Sequence, residues 1–234
     1  MNEKLCRYVI LDRDGVINRR HSSGQALGWD EFEFLPRSLE ALRLLAANHY
    51  AVIVISRQLC ASKGPQASAA LDSITRRFLL EVALSGGHIA QVYYCRHQKE
   101  DGCNCHDPNS GLIARAKADH GFRLKETHFI GEREFDLETA AAAGCPRIRI
   151  QRDAFLQTQV RGQEPCTLAS SLYDAAEQIL ALRQFREREY AALHGVEEIA
   201  GPDVIGPGWS AATFAEGADA SRYLTPVRSS NLES

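Results

Sequence analysis

The stretch that decides the fold is Tyr8-Val9-Ile10-Leu11-Asp12-Arg13-Asp14-Gly15. Its first four residues are aromatic, β-branched or aliphatic, which predicts a buried strand, and the polar residues after them predict a turn at the end of that strand. On such a turn the carboxylates of Asp12 and Asp14 can face one crevice while the Arg13 side chain between them points away. One carboxylate can then attack a phosphorus atom and the other can shuttle a proton, although Asp and Gly are also ordinary turn residues.

Four further short apolar runs follow, and segments with helical spacing of apolar residues separate them. The predicted strands cover residues 8–11, 51–55, 91–94, 128–130 and 147–150, and the predicted helices cover 38–47, 71–84, 112–118, 137–143 and about 168–190. This alternation predicts an α/β fold with a doubly wound parallel sheet. Ligands of such sheets bind beyond the carboxyl ends of the strands, so the residues after those ends should converge on one crevice.

The composition indicates one main domain that handles small molecules. The 234 residues include 27 Lys and Arg against 30 Asp and Glu, and the net charge of −3 offers no basic field for nucleic acid or anionic lipid. We expect a cytoplasmic protein, because the start has no secretory pattern and no apolar stretch is long enough to span a bilayer. The main domain is predicted over residues 1–192, and residues 193–234 are predicted to form a loosely ordered tail.

Three cysteines and one histidine are crowded into eleven residues. The cluster consists of Cys95, His97, Cys103 and Cys105. Four ligands of this kind suit a closed tetrahedral zinc site, which would be structural because it leaves no coordination position open. The alternative is a set of free thiols beside a solvated histidine, and such close spacing without a metal is unusual in a reducing compartment.

The motif LDRDGVIN at residues 11–18, followed by FEF at residues 32–34, resembles the haloacid-dehalogenase superfamily branch that contains the heptose 1,7-bisphosphate and histidinol phosphate phosphatases. The similarity covers about residues 8–150. The resemblance implies a Rossmann-like α/β domain without a large cap domain and with a zinc-binding loop. It also implies that Asp12 is the nucleophile, that Asp14 is the acid/base, and that Mg²⁺ binds the Asp12 carboxylate and the Asp14 carbonyl.

The resemblance also implies a phosphate-binding role for residues around the end of the second strand. Ser56, Arg57 and Gln58 stand where the family has Thr-Asn-Gln, and Lys63 stands where it has Arg. A hydroxyl at Ser56 would donate to a phosphate oxygen. Arg57 departs from the family, because a fixed cation replaces a neutral amide there, and it can either grip phosphate or face solvent.

Two other motifs depart from the family. His106 and Asp107 stand where the family reads Arg-Lys, so the cation that neutralises the nucleophile and the substrate phosphate has become an anion. The expected magnesium ligand Glu132 replaces a family Asp and is one methylene longer, whereas Asp136 matches its counterpart and would support the metal shell.

These departures leave two functional interpretations. The first is an active phosphatase with retuned substrate recognition, which acts on a phosphorylated sugar or a similar small metabolite and uses Mg²⁺. The second is a catalytically impaired phosphatase fold that is retained to bind a ligand or partner. A third interpretation, a zinc-dependent nucleic-acid module, is disfavoured by the net charge and by the Asp12/Asp14 pair.

Overall fold

The predicted strands form one parallel sheet. The computed structural model describes residues 7–21, 28–105, 110–152 and 166–194. The strands are β1 (Arg7–Asp12), β2 (Tyr50–Arg57), β3 (Ile89–Cys95), β4 (Phe129–Gly131), β5 (Arg147–Ile150) and β6 (Thr167–Ala169). Their order across the sheet is β3-β2-β1-β4-β5-β6, and every neighbouring pair is parallel. All five strands predicted from the sequence are therefore confirmed.

Five helices connect or follow the strands. They are α1 (Ser38–Ala47), α2 (Pro65–Leu84), α3 (Gly111–His120), α4 (Glu134–Ala143) and α5 (Leu172–His194). Helix α2 begins six residues before its predicted start, because Pro65 occupies the first turn, where its missing N–H costs no helical hydrogen bond. Helix α4 ends at Gly144, whose left-handed conformation (φ 82°) stops the helix and allows a sharp turn into β5.

The prediction of one helix from about residue 168 is wrong at its beginning. Residues Thr167–Ala169 instead form the edge strand β6 beside β5, and α5 begins only at Leu172. The two elements meet at Ser170 and Ser171, where the Asp174 side chain accepts a hydrogen bond of 2.8 Å from the Ser170 N–H. This local cap fixes the start of the helix after the strand.

Helices cover both faces of the sheet. The side chains of successive residues in a strand point to opposite faces, so each strand packs against helices on both sides. Val9 and Leu11 belong to a core shared with residues of α1, α2 and α5, whereas Ile10 belongs to a second core shared with residues of α3 and α4. The result is a three-layer α/β/α arrangement, which confirms the doubly wound fold predicted from the sequence.

The chain reverses its direction across the sheet between β1 and β4. From β1 it moves outward through β2 to β3, and it then returns to the other side of β1 to build β4, β5 and β6. In open α/β sheets this switch point leaves a crevice at the carboxyl ends of the strands. Asp12 is the last residue of β1, so the fold places it in that crevice.

All strands and helices of the described ranges belong to this one layered unit, so a separate cap domain is absent from those ranges. The predicted tail lies outside the described residues except for residues 193 and 194, which still belong to α5. Within the same ranges, none of the helices has the length and apolar character needed to cross a membrane.

We predict that Phe78→Ala lowers the free energy of unfolding by about 3–5 kcal/mol. The substitution leaves a cavity in the core that contains Val9 and Leu11. Phe78 is 0% exposed and its ring centroid lies 5.6 Å from that of Phe32 and 6.1 Å from that of Phe34. Phe185→Ala is the matched control, since Phe185 is also helical but is 59% exposed. Urea unfolding followed by circular dichroism measures both, and equal losses in the two variants would contradict the packing described here.

Candidate active site and metal-binding cluster

The candidate active site lies where β1 ends between β2 and β4. Asp12 is paired in register with Ile55 of β2, and Leu11 is paired with Ile130 of β4. Side chains that follow these strands therefore meet at one edge of the sheet. Hydrogen bonds, ion pairs or charge effects at this edge involve six of the predicted site residues, namely Asp12, Asp14, Ser56, Gln58, Glu132 and Asp136.

The Asp12 carboxyl group is buried among other carboxylates. Asp12 is 9% exposed, and its Oδ1 accepts a hydrogen bond of 2.8 Å from the backbone N–H of Arg13. Burial raises the pKa of Asp12 well above its ordinary value, and repulsion from Asp136 and Asp14 raises it further. The Arg20 guanidinium and the Arg13 N–H act in the opposite direction without cancelling these effects. An additional cation would therefore favour the ionised, nucleophilic form of Asp12.

The Asp14 carboxylate accepts hydrogen bonds from four side chains. The donors are Arg13 Nη2 at 2.9 and 3.0 Å, Asn18 Nδ2 at 2.9 Å, Ser56 Oγ at 3.2 Å and Gln58 Nε2 at 2.6 Å. Burial alone would raise the pKa of Asp14, but attraction to Arg13 and the hydrogen bonds outweigh it, so the pKa lies below its ordinary value. Asp14 is thus held as an oriented carboxylate.

The prediction that the Arg13 side chain points away from the carboxylates is wrong. Arg13 is 1% exposed, and its guanidinium forms a two-oxygen ion pair with Asp14. The same group lies 5.7 Å from the ring centroids of Phe32 and Tyr94, and it donates a hydrogen bond of 3.3 Å to the Tyr94 hydroxyl. A guanidinium keeps its charge in proteins, so it can be buried here only with the Asp14 anion and aromatic faces around it.

Ser56 and Gln58 are buried at the end of β2, and both donate to Asp14. They also contact each other, with 3.0 Å between Gln58 Nε2 and Ser56 Oγ. The Arg57 guanidinium lies 4.1 Å from the ring centroid of Phe135. Lys63 ends the 3-10 turn Leu59–Lys63, and its side chain lies outside the described part of the structure. The phosphate-binding roles of the four predicted residues thus stay predictions.

Glu132 is bound by two arginines. Its Oε2 lies 3.1 Å from Arg20 Nη2, and its Oε1 lies 2.7 Å from Arg152 Nη1. Arg20 also donates to the backbone carbonyl of Asp14, and its Nη2 lies 3.8 Å from Asp12 Oδ2. The three oxygen groups that we predict to hold magnesium therefore surround one guanidinium.

The Gly15 backbone has no side chain and so permits the close approach of the Glu132 carboxylate to the turn after β1. Gly15 has a φ of 97°, and a Cβ there would collide with the Glu132 carboxylate. Its carbonyl accepts a hydrogen bond from Arg152. A side chain at this position would strain the turn and would displace the Glu132 carboxylate.

Asp136 occupies the first turn of α4, where its Oδ2 accepts a hydrogen bond of 3.0 Å from the Arg133 N–H. It is 8% exposed, and it contributes to the raised pKa of Asp12, which places its charge near the Asp12 carboxyl group. His106 and Asp107, where the sequence departs from the family, lie outside the described residues.

Sequence reasoning missed the contacts of Asn18, Arg20 and Arg152. Arg152 follows β5 by two residues, so the rule of converging strand ends could have identified it. Asn18 reaches Asp14 because the turn folds back, with a hydrogen bond of 2.7 Å from the Gly15 N–H to the Asn18 carbonyl. Nothing in the spacing of the residues indicates this reversal, and the position of Arg20 depends on it.

Cys95, His97, Cys103 and Cys105 form one cluster. One ligand atom from each residue lies within 4.8 Å of all the others. The three sulfur–sulfur distances are 3.8, 3.3 and 3.2 Å, and His97 Nδ1 lies 3.1 Å from Cys105 Sγ. Sulfur ligands of a tetrahedral zinc ion at about 2.3 Å from the metal would be roughly 3.8 Å apart, so the cluster is compatible with zinc after a small expansion.

The cluster is joined to the active-site edge of the sheet. Cys95 ends β3, and its carbonyl accepts a hydrogen bond of 2.8 Å from the backbone N–H of Gln58. Burial raises the pKa of the Cys95 and Cys105 thiols. The neighbouring sulfur atoms raise the pKa of Cys105 further, whereas at Cys95 the hydrogen bond from Cys105 opposes the rise without cancelling it. A bound cation would offset this effect, because a metal ligates the thiolate form.

The sequence and the fold are similar to those of heptose bisphosphate phosphatases. No protein-family model matches the chain. The D-glycero-beta-D-manno-heptose-1,7-bisphosphate 7-phosphatase of Pseudomonas aeruginosa is 32% identical over 150 residues, which cover 64% of this chain and 84% of that protein. The phosphatase of the same name from Bordetella bronchiseptica is 30% identical over 176 residues, which cover 74% and 98%.

A solved structure extends the similarity to three dimensions. The crystal structure of D,D-heptose 1,7-bisphosphate phosphatase from B. bronchiseptica, complexed with magnesium and phosphate, matches with a TM-score of 0.68 at 28% identity. The match covers 75% of this chain and 99% of that chain.

We predict about one zinc ion per chain in protein purified without chelator, and a loss of most of it in Cys103→Ser, because a hydroxyl is a poor zinc ligand. Cys166→Ser is the matched control, since Cys166 is also partly exposed but lies outside the cluster. Mass spectrometry of the metal content measures both variants. Full zinc occupancy in Cys103→Ser, or none in the unaltered chain, would contradict the four-ligand assignment.

Proposed function

Because the chain belongs to the heptose bisphosphate phosphatase family of the haloacid-dehalogenase superfamily, we propose that it is a magnesium-dependent phosphatase that hydrolyses a phosphomonoester of a sugar through an aspartyl-phosphate on Asp12. The observation that carries this proposal is the pairing of two differently held carboxylates at the end of β1. Asp12 is poorly compensated, whereas Asp14 is ionised and fixed by its donors. Two such carboxylates can divide the roles of nucleophile and proton carrier.

The residues around Asp12 fit a divalent cation. The Asp12 carboxylate, the Asp14 carbonyl and the Glu132 carboxylate converge on the positive Arg20 guanidinium, which acts as a stand-in cation. Hard oxygen ligands of this kind are those that Mg²⁺ prefers, and Asp136 adds negative charge nearby. When bound, Mg²⁺ would neutralise the repulsion between the Asp12 carboxylate and a dianionic phosphate.

The chain's own residues would carry the reaction in two steps. An Asp12 oxygen attacks the phosphorus, the bond from phosphorus to the ester oxygen breaks, and Asp14 gives that oxygen a proton. Asp14 then takes a proton from water, whose oxygen attacks the phosphorus, and inorganic phosphate leaves Asp12. The lowered pKa of Asp14 suits the second step, while the approach of a dianionic phosphate raises the pKa and favours the protonated form needed in the first.

Phosphate recognition is proposed for the residues at the end of β2. Ser56 Oγ lies beside Asp14, so its hydroxyl can reorient toward a phosphate oxygen near Asp12. Gln58 also contacts Asp14, while Arg57 adds positive charge at the end of β2 and Lys63 adds it in the turn that follows. A small phosphorylated sugar would thus meet hydroxyl, amide and cationic groups from one segment.

Zinc on the Cys95 cluster is proposed as a structural cofactor, because its four protein ligands leave no position for substrate. The proposed cytoplasmic location is consistent with three thiols that must stay reduced to bind a metal. The interpretation as a catalytically impaired binding module is not favoured, because the relatives named above are phosphatases.

We predict that the chain releases phosphate from sugar phosphates with Mg²⁺ present, and that Asp12→Asn lowers the rate at least about a thousandfold, because an amide cannot replace the nucleophile. The panel includes heptose 1,7-bisphosphate and histidinol phosphate. The matched control is Asp30→Asn, which makes the same change at an exposed position.

Two outcomes would contradict the proposal. Equal rates for Asp12→Asn and the unaltered chain would exclude Asp12 as the nucleophile. No turnover on any substrate, with activity appearing after Asp107→Lys and Glu132→Asp are combined, would instead identify an impaired phosphatase fold.

A further inference from the structure

We propose that Arg20 is a resident cation of the active site, which occupies the position of the predicted magnesium ion and which the metal must displace. This inference rests on the proposed function, because it concerns the same cation position. Arg20 would therefore hold the site closed to the metal when magnesium is scarce.

The contacts of Arg20 duplicate those expected of the metal. Its Nη2 donates to the Asp14 carbonyl, lies 3.1 Å from Glu132 Oε2 and lies 3.8 Å from Asp12 Oδ2. Its Nε adds a second hydrogen bond of 3.3 Å to Glu132 Oε2. Among the residues that the structure describes, Arg20 provides the cationic group that pairs with Asp12.

The neighbouring Arg19 shows that this placement is specific. Arg19 pairs with Glu33 at 2.7 Å on the protein surface, and both side chains are 61% exposed. The Arg20 side chain is only 26% exposed and turns inward to the end of β1. Arg19 and Arg20 thus carry the same charge, but of these two only Arg20 reaches the carboxylates of the candidate active site.

Magnesium and Arg20 cannot occupy this position together. Mg²⁺ needs oxygen ligands at about 2.0–2.1 Å in nearly octahedral geometry, so it would take the Asp14 carbonyl and a Glu132 oxygen that now accept hydrogen bonds from Arg20. Glu132 stays held at its other oxygen by Arg152, at 2.7 Å, so its carboxylate can remain in place when Arg20 leaves. The apparent affinity for the metal is then reduced by the fraction of time for which Arg20 closes the site.

The test measures magnesium binding directly, by titration calorimetry of the full chain in magnesium-free buffer. Chelator is omitted so that the cysteine cluster keeps its metal. Arg20→Gln should bind Mg²⁺ about tenfold more tightly than the unaltered chain, because removal of the competing cation leaves the oxygen ligands free. Arg19→Gln removes the same charge one residue away and should leave the affinity unchanged. Arg20→Lys keeps a charge but loses the planar fork, so its affinity should lie between the two.

The outcomes separate this inference from the proposed function. Equal or weaker binding by Arg20→Gln would overturn the inference, and so would an equal gain in Arg19→Gln, which would indicate a general effect of charge. Thermal melting checks that each variant is folded, and Arg20→Lys tests the same order of affinities if Arg20→Gln does not fold. Because binding is measured without substrate, a failure here leaves the Asp12→Asn test of turnover intact, whereas absence of binding in every variant would remove the predicted magnesium site itself.

Discussion

Repulsion among buried carboxylates at the end of β1 is the constraint on which the rest of the site depends. Asp12, Asp14 and Asp136 come together there because the fold brings the ends of β1 and β4 to one edge. Burial in a medium of low dielectric strengthens their repulsion, and an uncompensated buried charge destabilises a fold by several kcal/mol, on the order of 3–5. The chain must therefore supply cations at this edge, whatever reaction takes place there.

Two arginines meet this requirement in different ways. Arg13 is 1% exposed and is enclosed by Asp14 and two aromatic rings, so its charge is a permanent part of the structure. Arg20 reaches Asp12 from a partly exposed position, and it can move away without opening the core. The fixed cation accounts for the ionised Asp14, and the displaceable one leaves Asp12 to be activated by whatever positive charge takes its place.

The sequence predicts those parts of the molecule that depend on neighbours along the chain. The apolar run before Asp12 predicts β1, and the tight spacing of the cysteines predicts their cluster, because both depend on local order. The strand Thr167–Ala169 is only three residues long and is set by pairing with β5, so no periodicity reveals it.

The contacts of Arg13 and Arg20 were beyond sequence reasoning for a different reason. Each depends on the path of the turn after β1, and a side chain of this length can reach many positions from one backbone site. The cations that the sequence predicts near the phosphate are Arg57, which ends β2, and Lys63 in the turn after it. The cation that the structure places beside Asp12 is Arg20, which follows β1 itself.

The cysteine cluster is linked to the Asp14 carboxylate through Gln58. Cys95 accepts a hydrogen bond from the Gln58 N–H, and the Gln58 side chain donates to Asp14 at 2.6 Å. The end of β3 therefore positions Gln58 through one backbone contact, and Gln58 in turn orients Asp14. A metal that rigidified the cluster would act on the carboxylate through these two hydrogen bonds, without any contact with substrate. Order at the cysteine cluster and orientation of the Asp14 carboxylate are thus joined by a single glutamine.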